Sequence, residues 1–197
     1  MSLALAALLV VTGSVPPGLP APVQEVIDRS HTTRANYSVV LHVRVVRDGV
    51  ANIEDNAEYQ LGRMHRVEVP ATRVLANCDT GQNILYDVAS AKLRLDPGTG
   101  GTACGIAVNI DRLIGGRMLA PIKGSFGTAD VIELVGERLV RRYAVTHDGI
   151  IVSNDWMLRD PPNTVLIKTL SSRLVRGKPD PRLFKTASLA RPALPLH

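Results

Sequence analysis

Apolar and polar residues alternate along much of this chain, which is the period of a β-strand with one buried face. The clearest run carries on one face Tyr37, Val39, Leu41, Val43 and Val45. Asp48-Gly49 follows this run and tolerates the positive φ that a tight turn requires. The pattern predicts a strand that ends in a hairpin.

The same alternation recurs in shorter runs separated by turn residues. In residues 58–69, Tyr59 and Leu61 share a face, and Gly62 marks a bulge or a bend of one strand. Further strands are predicted at 72–76, 84–88, 92–95, 131–134, 139–146, 150–156 and 164–170. Such short strands joined by turns indicate an antiparallel meander.

Three segments have helical patterns instead. Val23–Ser30 places apolar residues at helical spacing, residues 107–114 form a short apolar run stopped by Gly115-Gly116, and residues 180–184 predict a helical turn. The predicted fold class is α+β and mainly antiparallel β. We expect a single strongly curved sheet, an unclosed β-barrel, with short helices covering its concave face.

The N-terminus has the pattern of an export signal. Residues 1–11 are an apolar run too short for a membrane-spanning helix, which needs ~20 residues, and a Pro- and Gly-containing stretch follows. The alternative is a buried N-terminal helix. We expect a periplasmic protein that is soluble after processing. We divide it into a signal peptide and linker at 1–22, a β domain at 23–190 and a C-terminal tail at 191–197.

The chain has two cysteines, Cys78 and Cys104. An isolated pair in an oxidising compartment usually closes, and a loop of this length would stabilise the fold by ~3–4 kcal/mol in the chain-entropy model. The alternative is two free buried thiols. The spacing does not match a metal site. We therefore predict a disulfide.

Composition narrows the classes of function. Hydrophobic residues make up 45% and aromatic residues 4% of the chain, so its interior must be mainly aliphatic and offers few stacking platforms for bases or flat cofactors. The net charge is +5. Because the basic residues near the C-terminus are interrupted by Pro and apolar residues, we interpret them as a solvated face and expect no nucleic-acid partner.

No pattern of catalytic chemistry stands out in the sequence. The five histidines form no HxH or HExxH motif, and the serine-hydrolase pattern GxSxG is absent. The glycine-rich GTGG at 98–101 lacks the Lys-Ser/Thr of a phosphate-binding loop. We expect neither an enzyme nor a bound cofactor or metal, although a site assembled from distant strands remains an alternative.

The order of four segments along the chain supports a resemblance to a known family. They are GRMHRVEVP at 62–70, DTGQNILYD at 79–87, LIKTL at 166–170 and PDPRLF at 179–184. With the export signal and the first helix before them, they resemble the LolA/LolB-like lipoprotein-carrier family over roughly residues 23–190. The absence of a cysteine near the N-terminal apolar segment is similar to the soluble carrier branch.

The resemblance implies an unclosed barrel, capped by helices, that binds acyl chains in an apolar hollow. It also implies a strand arginine that holds a helical lid through hydrogen bonds to carbonyl groups. Arg63 and Arg66 are the candidates by position, and the alternative is that they are ordinary outward-facing arginines.

The leading functional hypothesis is a monomeric periplasmic carrier of a lipid, an acylated protein or another apolar ligand, without covalent chemistry. The second is a structural or regulatory envelope protein that binds an extended segment of another protein by edge-strand addition. The residues expected to line one concave, ligand-binding face are Tyr37, Val39, Leu41, Val43, Tyr59, Leu61, Ile84 and Tyr86.

Overall fold

The computed structural model describes residues 18–95, 103–162 and 164–193. Its strands are β1 Tyr37–Arg47, β2 Val50–Leu61, β3 Met64–Val69, β4 Thr72–Asn77, β5 Gln82–Asp87, β6 Lys92–Leu95, β7 Leu113–Gly124, β8 Gly127–Gly136, β9 Leu139–Thr146, β10 Ile151–Leu158 and β11 Thr164–Arg176. Its helices are α1 Ala21–Thr32 and two 3₁₀ helices, Pro181–Phe184 and Thr186–Ala190. Of the predicted signal peptide and linker at 1–22, only residues 18–22 are among the described residues.

The eleven strands form one antiparallel sheet in the order β6-β5-β4-β3-β2-β1-β11-β10-β9-β8-β7. β6 and β7 are its two edges and do not pair with each other, so the sheet is not closed. β1 and β8 are separated by three strands in this order, yet Val39 and Val131 belong to one buried cluster. The sheet must therefore curl. The predicted single, unclosed, mainly antiparallel sheet is confirmed.

Residues 58–69 are two strands rather than one. Gly62 has φ 58°, a left-handed value that glycine adopts freely, and it lies in a two-residue turn that pairs Leu61 with Met64. The prediction of a bulge or bend at Gly62 is therefore wrong, because the chain reverses direction there.

The predicted helix at residues 107–114 is also wrong. Residues 107–112 are irregular, and Leu113 begins β7, a strand that the sequence pattern did not predict. Tertiary contacts decide this conformation. Ile106 and Leu113 are buried, and the Asp111 carboxylate accepts hydrogen bonds of 2.9 Å from the backbone amides of Arg138 and Leu139. These bonds to the start of β9 hold Asp111 where a helix would not place it.

Strands β8 and β9 are buried on both faces. Val131 and Ala144 pack in the cluster that contains the odd-numbered residues of β1, whereas Ile132 and Tyr143 pack in a second cluster. The second cluster also contains the apolar stripe of α1, formed by Val23, Val26 and Ile27. The helix predicted at Val23–Ser30 is thus present, with slightly wider bounds. Helices covering the concave face are not confirmed, because α1 packs against β7 and β8 and the 3₁₀ helices pack against β3, β4 and β5.

Cys78 and Cys104 form a disulfide, with their Cα atoms 5.5 Å apart. Cys78 directly follows β4, and Cys104 lies in the irregular segment before β7. The bond therefore ties that segment to one half of the sheet. The predicted pairing is confirmed.

The turn between β9 and β10 is fixed by Asp148. Its carboxylate accepts hydrogen bonds from Arg176 Nε at 2.8 Å and Arg176 Nη2 at 3.1 Å, and its backbone carbonyl accepts one from Thr33 Oγ1. The bond to Arg176 is the main reason that the pKa of Asp148 falls to about 2, against the opposing effect of burial. The turn is thus linked to the end of β11 and to the residue that follows α1.

We expect Asp148→Asn to lower the free energy of unfolding by about 1 kcal/mol near neutral pH, a value reduced for screening because the Asp148 side chain is 36% exposed. A lowered folded-state pKa gives stability that is present above the unfolded pKa, roughly 4, and is lost as the pH falls towards 2. Urea unfolding of both proteins at stepwise lower pH should therefore show the difference shrinking. A difference that stays constant down to about pH 2 would contradict this assignment.

Candidate functional site

Strand register decides which face of the sheet each predicted ligand-binding residue occupies. Val39 pairs with Glu58 and Ser38 pairs with Tyr59, so Tyr59 lies on the face opposite to Val39. We call the face of Val39 the inner face and that of Tyr59 the outer face. The inner face carries Tyr37, Val39, Leu41 and Val43, and the outer face carries Tyr59, Leu61, Ile84 and Tyr86. The prediction that all eight share one face is wrong, because the two-residue turn at Asp48-Gly49 pairs Arg47 with Val50 and so puts the odd-numbered residues of β2 on the face opposite to those of β1.

The two groups also differ in their surroundings. Tyr37, Val39 and Val43 are buried in the main core cluster, as is Leu41, which additionally lines a hollow on the inner face. On the outer face, Tyr59 is buried, whereas Leu61, Ile84 and Tyr86 are half-buried. Tyr86 lies under the guanidinium of Arg73, 5.5 Å from its ring centre. Ligand contact by any of them stays a prediction.

A hollow of about 500 Å³ opens on the inner face. One wall is formed by β1, β2 and β3, with Leu41 and Val67 among its apolar residues. The opposite wall is formed by β9 and β10, with Tyr143 and Trp156, and the segment that includes Ala107 borders both. We call this space the inner hollow.

The inner hollow also has a polar side, centred on His65. This residue is 4% exposed, its Nε2 lies 3.3 Å from both the Tyr37 hydroxyl and a Glu58 carboxylate oxygen, and its Nδ1 contacts the Ala103 carbonyl oxygen. Burial, followed by the charge of Glu58, raises the pKa of the Tyr37 hydroxyl well above its usual value. The hollow is therefore amphiphilic rather than purely aliphatic.

A buried arginine lies beside the β9 wall. Arg141 is 0% exposed, pairs across the strands with Trp156, and donates a hydrogen bond from Nη1 to the Ala107 carbonyl oxygen. Arg141, Trp156 and His65 are not among the site residues predicted from the sequence. A signal for Arg141 was present, because it shares the alternate positions of β9 with the apolar Tyr143 and Val145.

On the outer face, Arg66 holds a segment that we call the C-terminal strap, residues 181–193. Arg66 is 0% exposed, and its guanidinium donates to the carbonyl oxygens of Leu183 at 2.7 Å, Ser188 at 3.2 Å and Arg191 at 2.8 Å. Arg66 Nε also donates to the Glu68 carboxylate at 2.5 Å. This arginine is therefore not an ordinary solvent-exposed residue.

The other candidate, Arg63, is an ordinary surface residue. Its side chain is 67% exposed and forms an ion pair with Asp79 in the turn after β4. Of the two arginines that the resemblance suggested, only Arg66 makes the carbonyl contacts.

The strap continues past the predicted end of the β domain at residue 190. The backbone amide of Ala193 donates to both oxygens of Glu68 at 3.1 Å, and Arg73 donates to the Leu189 carbonyl oxygen at 2.8 Å. A cleft of about 480 Å³ remains between the strap and the outer face, lined by Tyr59 and Pro192 among others. Burial, followed by the charge of Glu68, raises the pKa of Tyr59 to about 12.

Two further features bear on the class of site. Across residues 18–95, 103–162 and 164–193, no three His, Cys, Asp or Glu side chains are placed to hold a metal ion. Over the same ranges, no helix is both long and apolar enough to cross a membrane.

No family model and no curated protein sequence matches the chain. Solved structures do match in fold. An uncharacterized conserved protein from Thermus thermophilus is 14% identical, with a TM-score of 0.51 over 87% of this chain and 94% of that protein. MucB is 11% identical, with a TM-score of 0.54 over 87% of this chain. The structure of the Pseudomonas aeruginosa MucA/MucB complex also matches, at a TM-score of 0.50 and 10% identity over 84% of this chain and 61% of the matched chain.

The chain spans 66% of MucB in the first of these MucB structures. The matches also include the LolA superfamily protein NE2245 from Nitrosomonas europaea, 9% identical with a TM-score of 0.44 over 85% of this chain and 99% of that protein. A LolA superfamily protein, the family that the sequence resembles, is thus among the solved structures that match this chain. At these identities the likeness concerns the fold alone.

Proposed function

We propose that this protein is an exported, non-catalytic binder that holds an apolar or amphiphilic ligand in the inner hollow. The observation that carries the proposal is the inner hollow itself, which lies on the inner face of a strongly curved sheet between two partly apolar walls. Its volume of about 500 Å³ lies within the ~300–1,000 Å³ typical of ligand sites. Each methylene group of a ligand buried there would contribute roughly 0.8 kcal/mol to binding.

Trp156 provides a direct test, because it is the single tryptophan of the chain and lines the inner hollow. Bromine quenches tryptophan fluorescence on contact. We expect a terminally brominated undecanol, a neutral amphiphile, to quench Trp156 in a saturable way. Unbrominated undecanol should not quench, but it should compete.

A matched pair of substitutions locates the binding. Val67 is half-buried on the wall of the hollow, whereas Val50 is 59% exposed at the start of β2. Val67→Asp should weaken quenching about tenfold or more because it places a charge against the apolar chain of the probe. Val50→Asp should leave quenching unchanged. Equal quenching in both variants, or none in the unmodified protein, would count against the proposal.

A second candidate is the binding of an extended segment from another envelope protein. It is supported by MucB, whose structure in complex with MucA has this fold, and by the edge strand β6, where Leu93 is 50% and Leu95 is 78% exposed. An exposed edge strand offers unpaired backbone groups to a partner strand. Under either proposal, residues 1–22 act as the export signal and linker, and the protein works in the periplasm. The bromine titration separates the candidates, since edge-strand binding predicts no quenching of Trp156.

A further inference from the structure

Arg141 carries a buried guanidinium whose hydrogen-bonding capacity the described residues do not fill. An arginine guanidinium stays protonated in proteins, and this one is 0% exposed. Its Nη1 donates to the Ala107 carbonyl oxygen, but Nε and Nη2 are buried and have no hydrogen-bond partner within the described parts of the chain. Buried polar groups in folded proteins are almost always paired, so this exception calls for an explanation.

The nearby carboxylates are committed elsewhere. Asp111 accepts hydrogen bonds from the backbone amides of Arg138 and Leu139 and none from Arg141. Burial raises the pKa of Asp111, but these two bonds and, to a smaller extent, the charges of Arg138 and Arg141 hold it below its usual value. Glu133, on the neighbouring strand β8, is bound by Arg117 and Arg142. Because Glu133 pairs with Arg142 in the register, it lies on the face opposite to Arg141.

The unpaired nitrogens are arranged for an oxyanion. Nε and Nη2 lie on the same edge of the guanidinium, and this edge matches the two oxygens of a carboxylate or a phosphate. Arg141 itself does not line the inner hollow, but its neighbours Ala107, Tyr143 and Trp156 do, so only one layer of side chains separates it from the hollow. Ala107 accepts the Arg141 hydrogen bond, and Trp156 is its cross-strand partner.

We infer that Arg141 binds the anionic head of the ligand, a carboxylate or a phosphate, at the β9 end of the inner hollow. This inference rests on the proposed function and adds the chemical class of the ligand: a single-chain anionic amphiphile. Glu58, on the opposite wall beside His65, repels an anionic head and so favours the orientation in which the head meets Arg141. The apolar chain then lies against Leu41 and Val67.

Access to Arg141 requires the displacement of a lining side chain, because Nε and Nη2 are closed off from solvent. Trp156 is half-buried and has its Nε1 hydrogen-bonded to Asn154 of its own strand. A movement of Trp156, which lies on β10 beside Arg141, makes the Arg141 guanidinium accessible from the inner hollow. The fluorescence of Trp156 reports this movement.

The test compares probes that differ only in the head group. Terminally brominated undecanoate, undecyl phosphonate and undecanol are titrated against the unmodified protein, Arg141→Met and Arg142→Met, below their micelle concentrations, with quenching of Trp156 as the readout. Arg142 is the matched control because it is the next residue and its side chain lies on the other face of β9.

We expect the anionic probes to bind the unmodified protein about tenfold or more tightly than undecanol, as a charge-assisted hydrogen bond predicts. Arg141→Met should reduce this preference to about twofold or less, and Arg142→Met should keep it. The order of undecanoate and phosphonate identifies the preferred head group, and either order supports the inference.

Equal binding of undecanol and the anionic probes would overturn the inference and leave the proposed function standing. A preference that survives Arg141→Met would also overturn it, because the anion would then be bound elsewhere. Absence of quenching by all three probes would overturn both proposals. Circular dichroism checks whether Arg141→Met folds. If it does not, the inference stands or falls with the preference of the unmodified protein for the anionic probes over undecanol.

Discussion

Replacement of Arg66 by methionine is expected to lower the free energy of unfolding by about 3–5 kcal/mol. The substitution leaves Glu68, which is 8% exposed, without its guanidinium partner. It also removes the donors to the carbonyl oxygens of Leu183, Ser188 and Arg191. A buried carboxylate that keeps only the Ala193 backbone amide as a partner is costly, and methionine restores only the apolar part of the arginine side chain.

Urea unfolding measures this loss, and limited proteolysis reports separately on release of the C-terminal strap. Arg63→Met is the matched control, because Arg63 lies on the same hairpin, is 67% exposed and pairs with a surface carboxylate. We expect the control to change the free energy of unfolding by about 1 kcal/mol or less. Similar losses for the two variants would mean that the Arg66 contacts do not hold the strap.

The second large effect is expected at Leu41, where Leu41→Ala should cost about 2–5 kcal/mol of unfolding free energy. Leu41 is 3% exposed and packs in the core cluster of β1 with Val39 and Val43. The loss combines the removal of buried methyl groups with the cavity that remains. Since Leu41 also borders the inner hollow, part of the new space adds to that hollow.

Thermal or urea unfolding of Leu41→Ala and Leu95→Ala provides the comparison. Leu95 is 78% exposed on the edge strand β6, so its truncation should stay within about 0.5 kcal/mol. A loss below about 1 kcal/mol at Leu41 would indicate that β1 is not packed as described. Because Leu41 belongs to both the core and the hollow, its substitution tests packing, and Val67 is the better position at which to test binding.

The family resemblance predicted one property of Arg66 correctly and did not predict another. The order of segments indicated a strand arginine with carbonyl partners, and Arg66 has such partners in the C-terminal strap. The resemblance implied a lid over the apolar hollow. The carbonyl partners of Arg66 lie instead on the outer face, away from the inner hollow. A role for Arg66 in a lid that opens and closes stays a prediction.

The sequence by itself determined most of the local structure. Period-two alternation identified β1, the later hairpins and the antiparallel class, and helical spacing identified α1, because these periods depend only on local backbone geometry. The isolated cysteine pair was also sufficient to predict the disulfide.

Only the tertiary structure decided which strands share a face and which polar side chains become buried. The two-residue turn at Asp48-Gly49 pairs Arg47 with Val50 and so places Tyr59 opposite to Val39, and the alternation within a strand does not predict the register across a turn. Segment 107–112 is held by contacts with distant strand residues, which override its helical spacing. Arg66 and Arg141 look like ordinary strand arginines in sequence. Their burial arises because the strap covers one face and the curled sheet encloses the other, and both are products of contacts far apart in the chain.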